Sequence, residues 1–137
     1  MTKRPRGSPR GIARAAARAA AFERLVDRAI AAIPDPYRDA LREVAIVIDD
    51  EPTSAQLREN GIDPEDTMYG LYEGVPRTDY GADWAASPNK ITLFRIPLEE
   101  DFPAAADLEA EVRLTVLHEL AHHLGIDDDR LDELGAG

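Results

Sequence analysis

The 137-residue chain sets 27 Asp and Glu against 16 Lys and Arg, for a formal net charge of −11, and it has no cysteine. That length supports one domain around a single core, and the lack of thiols excludes both a disulfide framework and a thiolate metal site. No window approaches the roughly 18 apolar residues that a membrane-spanning helix needs.

The charge is unevenly distributed. Residues 1–22 hold six Lys/Arg and no acid, which leaves ten basic against 27 acidic residues in the rest, or −17. Such an acidic body repels nucleic acid and anionic membranes. Nucleic-acid contact is therefore expected only through a basic, flexible extension over residues 1–20, if at all, with the folded domain over 21–137. The more economical reading of that extension is a solvated arm docking on the acidic body. Arg14 and Arg18 interrupt its alanine run, which denies it the continuous apolar segment of a secretory signal. The expected location is the cytoplasm.

In chain order, residues 1–10 (MTKRPRGSPR) read as an unstructured start. The alanine-rich segment from Gly11 has high helix propensity, and a helix there would align Arg10, Arg14 and Arg18 in one basic stripe. Phe22, Leu25, Val26, Ala29, Ile30 and Ile33 recur at helical spacing, which predicts an amphipathic helix over 22–33. Pro34 and Pro36 end it, and Pro36 suits the first turn of a short helix over 36–43. Val44 to Ile48 is a β-branched run and predicts a buried strand. Ser54 is the expected cap of a short helix reaching Asn60, stopped by Gly61. Met68 to Tyr72 predicts a second strand, and residues 77–89 a polar loop. Lys90 to Ile96 alternates Ile91, Leu93 and Arg95 with Thr92, Phe94 and Ile96. This predicts a third strand, which Pro97 either ends or marks as an edge.

The last helix is expected over about 104–124, opened by Asp101 or Pro103 and stopped by Gly125. Ala110, Leu114, Leu117, Ala121 and Leu124 form one apolar stripe on it, and Val112, Val116 and Leu120 a second. Glu111, Thr115, His118 and His122 form a polar stripe between them. Buried polar groups need partners, so that stripe must face a cleft or be satisfied.

The same helix carries His118-Glu119-Leu120-Ala121-His122, the H-E-x-x-H pattern of zinc peptidase helices. His118 and His122 project from one face a turn apart and can converge on one cation. Glu119 is rotated about 100° from His118. From there it can take a proton from a water at the metal, which is the position of a general base. Gly125 permits a reversal that returns Asp127, Asp128 and Asp129 toward the site. Asp128 stands where x-x-G-x-x-D places a third ligand, and Asp127 or Asp129 could substitute. Two histidines, one carboxylate and an open position make a catalytic zinc arrangement rather than a closed structural one. His123 is rotated away from the pair and reads as satisfied by the helix end or by packing. Glu111 and Thr115 are candidates for orienting a histidine.

With these residues in view, the sequence resembles the small bacterial zincin-like metallopeptidases, close to the aspzincin pattern HExxHxxGxxD. The resemblance rests on HELAHHLGIDDDRL (118–131), supported by GLYEGVPRT (70–78) and NKITLFRIPLEE (89–100), and covers roughly residues 36–135. It implies an α+β, minimal zincin-like fold: a small mixed β-sheet packed against helices that include the HExxH helix. It implies zinc held by His118, His122 and Asp128, with Glu119 catalytic. Residues 90–96 become the candidate strand for binding a peptide or unfolded protein substrate by strand addition. The nine residues after Asp128 contain no Met, Tyr or His, so oxyanion support would have to come from Tyr69, Tyr72 or Tyr80. The leading reading is a zinc-dependent metallopeptidase. The alternative is a catalytically inactive zincin-like domain with a binding or regulatory role. The sequence leaves a homodimer open.

Overall fold

A computed structural model describes residues 9–74 and 89–126. The first helix, α1 (Pro9–Ala31), is longer than its amphipathic part predicts. Nothing in the alanine-rich stretch breaks a helix, so the helix runs back through the segment expected to be flexible. Only its second half enters the core, through Phe22, Leu25, Val26 and Ala29, with Ile33 just beyond. Residues 9–19 stay exposed apart from Gly11. Most of the expected unstructured start lies outside the described residues, but Pro9 and Arg10 are already helical.

The predicted helix over 36–43 divides into α2 (Tyr37–Ala40) and a 3-10 turn (Leu41–Glu43). Strand β1 (Ala45–Asp49) follows, then α3 (Ser54–Glu59). The cap of α3 is Thr53 rather than Ser54. Thr53 Oγ1 accepts the Gln56 N–H at 3.0 Å, and Gln56 Oε1 accepts the Thr53 N–H at 2.9 Å. This reciprocal box needs Glu or Gln three residues after the cap. Thr53 has Gln56 there, whereas Ser54 has Leu57. Gly61 ends the helix as predicted, with φ +68 and the Ile62 N–H returning to Leu57 O at 2.9 Å.

Strands β2 (Gly70–Glu73) and β3 (Lys90–Phe94) complete a mixed sheet in the order β1-β3-β2. β1 runs parallel to β3, and β2 antiparallel to it. The central place of β3 corrects two expectations. Residues 90–96 are not an edge, and the strand stops at Phe94. Residues Arg95–Asp101 form helix α4. Pro97 sits in the first turn of α4, where an N–H would have no intrahelical acceptor. Ile91, Thr92, Leu93 and Phe94 are all fully buried, so both faces of β3 are covered and its alternation says nothing about solvent. β1, predicted to be buried, is an edge strand among the described residues, and Ile46, Val47 and Ile48 are only half-buried. Arg95 leaves the sheet pattern altogether. Its guanidinium meets Asp50 Oδ1 at 2.9 and 3.2 Å and Glu99 Oε1 at 2.5 Å, tying the end of β1 to α4.

The last helix, α5 (Ala105–His123), starts after Ala104, which makes no side-chain cap; Asp101 closes α4 instead of opening α5. The stripe of Val112, Val116 and Leu120 is fully buried with Leu108 beside it, and it packs with α1 and the sheet in one core. The other apolar stripe is largely half-buried, and Leu114 is 42% exposed. Gly125 ends α5 as expected. Its φ is +74, its N–H reaches His122 O at 3.1 Å, and the Ile126 N–H reaches Ala121 O at 2.8 Å. This pair of returning bonds is a Schellman closure, and it turns the chain sharply at the end of the helix. The architecture is the expected α+β arrangement of helices on a small mixed sheet. Among the described residues, no helix is long and apolar enough to cross a membrane.

Candidate metal centre

His118 and His122 stand one turn apart on α5, with side chains 37% and 40% exposed. Their ring centres are 5.0 Å apart at an interplanar angle of 69°. Two imidazoles sharing a tetrahedral cation at zinc–nitrogen distances would hold their ring centres roughly 5 Å apart. The spacing of the two rings is compatible with that arrangement.

Glu119 turns toward the sheet and is mostly buried. Its Oε1 accepts the backbone N–H of Tyr72 at 2.9 Å and lies 3.4 Å from His122 Nδ1. Its Oε2 lies 4.0 Å from His118 Nε2. The oxygen fixed by strand β2 is thus the one nearer His122, and the other lies on the His118 side.

That contact requires β2 to lie close on α5, and Gly70 permits it. A Cβ at Gly70 would stand 2.6 Å from Thr115 Cγ2, and 3.6 Å from Glu119 Cγ. Thr115 is buried under this crossing. The sequence placed it on the histidine stripe; in the fold it is the surface on which β2 rests.

In an antiparallel ladder, a residue's N–H and C=O point to the same side, alternately toward and away from the partner. Tyr72 directs its N–H to Glu119, away from β3. Gly70, two residues earlier, has the same orientation. The outward side of β2 therefore faces α5 and the cleft, with the Tyr72 N–H on that side taken by Glu119. β3 is paired on both sides and cannot accept an added strand, which overturns the assignment of residues 90–96 as the substrate strand.

An open cleft of about 470 Å³ follows this side of β2, lined by Met68, Tyr69, Gly70, Glu111, Leu114, Thr115, His118 and Glu119. The Tyr69 hydroxyl donates to Asp101 Oδ2 at 2.5 Å, and this bond pushes its pKa up to about 12. Tyr72 directs its hydroxyl into the interior. Neither upstream tyrosine within the described residues offers an uncommitted hydroxyl to the cleft, and Tyr80 lies outside them.

The interior destination of Tyr72 is a network that the sequence did not reveal. His123 is fully buried. Its Nε2 lies 2.8 Å from Glu43 Oε2, and its Nδ1 lies 3.0 Å from the Tyr72 hydroxyl, which donates to Asn89 Oδ1 at 3.0 Å. Gly74 makes room for Asn89, since a Cβ there would come within 2.2 Å of Asn89 Oδ1. His123 was expected to be satisfied by packing or by the helix end, and it is buried and bonded. No local pattern signals its partner Glu43, 80 residues away. The network clamps the side chain of the same Tyr72 whose backbone holds Glu119.

Asp127, Asp128 and Asp129 lie outside the described residues. Among the described residues, no group of three or more His, Asp and Glu side chains could hold a metal ion. No curated protein matches the chain. A family of zincin-like metallopeptidases matches residues 41–137, well over half of the chain, and the chain belongs to that family.

Proposed function

We propose that this zincin-like chain is a zinc-dependent peptidase acting on peptides or unfolded segments of proteins. His118, His122 and Asp128 hold the metal in this reading, with Asp127 or Asp129 as alternatives to Asp128, and Glu119 is the general base. The observation that carries it is the placement of Glu119: one oxygen fixed by the Tyr72 N–H, the other 4.0 Å from His118 Nε2. A bound zinc ion would supply Lewis acidity, lowering the pKa of water and polarising a carbonyl. Glu119 accepts the proton of the attacking water as the C–O bond forms, then passes it to the departing amine as the C–N bond breaks. The hydrogen bond to Tyr72 keeps the carboxylate in place through both transfers. The outward side of β2 at Gly70, which lines the cleft, receives the substrate as an extended chain, so main-chain hydrogen bonds there hold it along the cleft.

The isosteric substitution Glu119→Gln tests this reading. It preserves an acceptor for the Tyr72 N–H but removes the base. Zinc content should stay at wild-type level while hydrolysis of an unfolded protein substrate falls by a factor of about 10²–10⁴. Undiminished hydrolysis in that variant would end the assignment. The committed hydroxyls of Tyr69 and Tyr72 favour a second reading, a zincin-like domain that binds peptides without cleaving them. That reading predicts that zinc-loaded wild-type protein binds peptides and leaves them intact.

A further inference from the structure

Glu111 lines the same cleft two helical turns before His118, about 10 Å along the axis of α5. It is half-buried. Among the described residues its side chain has no hydrogen-bond or ion-pair partner. Burial alone pushes its carboxyl above the ordinary value, as expected of an acid that lacks a cation in the free protein. The neighbouring walls are apolar: Met68, Tyr69 and Leu114. Leu114 is one of two large hydrophobic residues exposed in the described structure; the other, Ile12, lies on the distant half of α1.

We propose that this end of the cleft is a subsite for a Lys or Arg side chain of the substrate, with Glu111 receiving the cation and Leu114 and Met68 covering the aliphatic stem. The shape of those two side chains requires this combination, since each has an apolar stem ending in a charge. An acidic side chain would instead be repelled by Glu111. The charge of −17 on residues 23–137 also draws cationic peptides toward the body before contact. An extended chain advances about 3.3 Å per residue. A peptide on the outward side of β2 therefore reaches Glu111 about three residues from the bond beside His118.

The inference rests on the proposed use of this cleft for peptides, and the test separates the two. Zinc-loaded, full-length Glu119→Gln protein is titrated with fluorescent ten-residue peptides of Gly, Ser and Ala carrying one central Lys, Arg, Gln or Glu. The Lys and Arg peptides should bind about fivefold tighter than the Gln peptide, in the upper range for a partly exposed ion pair, and the Glu peptide most weakly. Adding Glu111→Gln should bring Lys and Gln peptides within about twofold, and Glu111→Asp should restore part of the preference. Equal binding of Lys and Gln peptides, no binding of any peptide, or a preference that survives Glu111→Gln would overturn the subsite. Wild-type protein that cleaves peptides without regard to charge would also overturn it, leaving the peptidase reading intact. Glu111-dependent binding without any cleavage by the wild type would uphold the subsite and remove the peptidase reading.

Discussion

At the last turn of α5, His122 leaves 40% of its side chain in solvent, while the next residue, His123, is fully buried. A rotation of about 100° separates them on the helix, and it separates two solutions to the same chemical problem. Both nitrogens of His123 face protein partners, Glu43 and Tyr72. His118 lines an open cleft, and His122 stands one turn further on with its ring centre 5.0 Å from that of His118. One face of the turn holds the fold together, and the other stands beside Glu119 at the cleft. Tyr72 joins the two, since its hydroxyl belongs to the buried side and its N–H to Glu119 on the cleft side.

The sharpest way to break this comparison is to truncate each histidine in turn. His123→Ala removes a buried ring and leaves Glu43 and the Tyr72 hydroxyl without it. The expected loss is about 3 kcal/mol or more, from the cavity and from the stranded polar groups together. For a domain whose whole stability is about 5–15 kcal/mol, that is a large fraction. His122→Ala in metal-free protein should change stability by no more than about 0.5 kcal/mol. Denaturant midpoints at equal m-values measure both. Equal losses would mean that the cleft face is also structural.

Zinc should then narrow the gap between the two variants. A ligand at a hundredfold excess over its Kd stabilises the native state by about 2.7 kcal/mol. Wild-type and Glu119→Gln proteins should both gain thermal stability on that scale, and a chelator should remove it. His122→Ala should gain little. A full zinc response in His122→Ala would place the ion somewhere other than the histidine pair.

Gly70→Ala addresses the join between the two faces. Its Cβ would meet Thr115 Cγ2 at 2.6 Å, so β2 must lift from α5. Overpacking of this kind costs about 1–3 kcal/mol. Displacing β2 also lengthens the bond from the Tyr72 N–H to Glu119. Hydrolysis should therefore fall further than zinc affinity, because the histidines lie on α5 itself. Zinc affinity falling as far as activity would show that β2 also shapes the metal pair.

These residues also show how far the sequence could be read. The HExxH helix, its Gly125 closure and the first strand were legible because each depends on neighbours in the chain: i to i+4 spacing, a left-handed glycine, a run of β-branched residues. The α+β class followed from the family resemblance. The central place of β3 was not legible. Once both faces of a strand are covered, alternation no longer marks solvent, and Pro97 looked like an edge signal when it was a helix start. The roles that Tyr72, Gly70 and Glu43 take in the fold carried no local signal. They exist only because β2 crosses α5 and the 3-10 turn reaches its end, contacts made across 45 or more positions in the chain. The histidine stripe was read correctly as a set of positions. Its members then divided by depth: Thr115 became packing, while Glu111 remained at the cleft.

Glu111→Gln should give the smallest effect and a telling sign. Burial raises the folded-state pKa of Glu111 above 4.5, so the native chain holds this proton more tightly than the unfolded chain does. The stability associated with the protonated form is complete below the unfolded value and is lost as pH rises through the folded one. Glutamine stays neutral throughout and escapes that loss. The variant and the wild type should therefore melt together near pH 4, with the variant slightly the more stable at about pH 7. The gap should stay small because the carboxylate is half in water. A Lys-containing peptide should narrow it by supplying the cation that the free protein lacks. A variant less stable than wild type at pH 7 would mean that the folded chain already supplies a cation to Glu111, and the cleft would then have no fixed charge to offer a substrate.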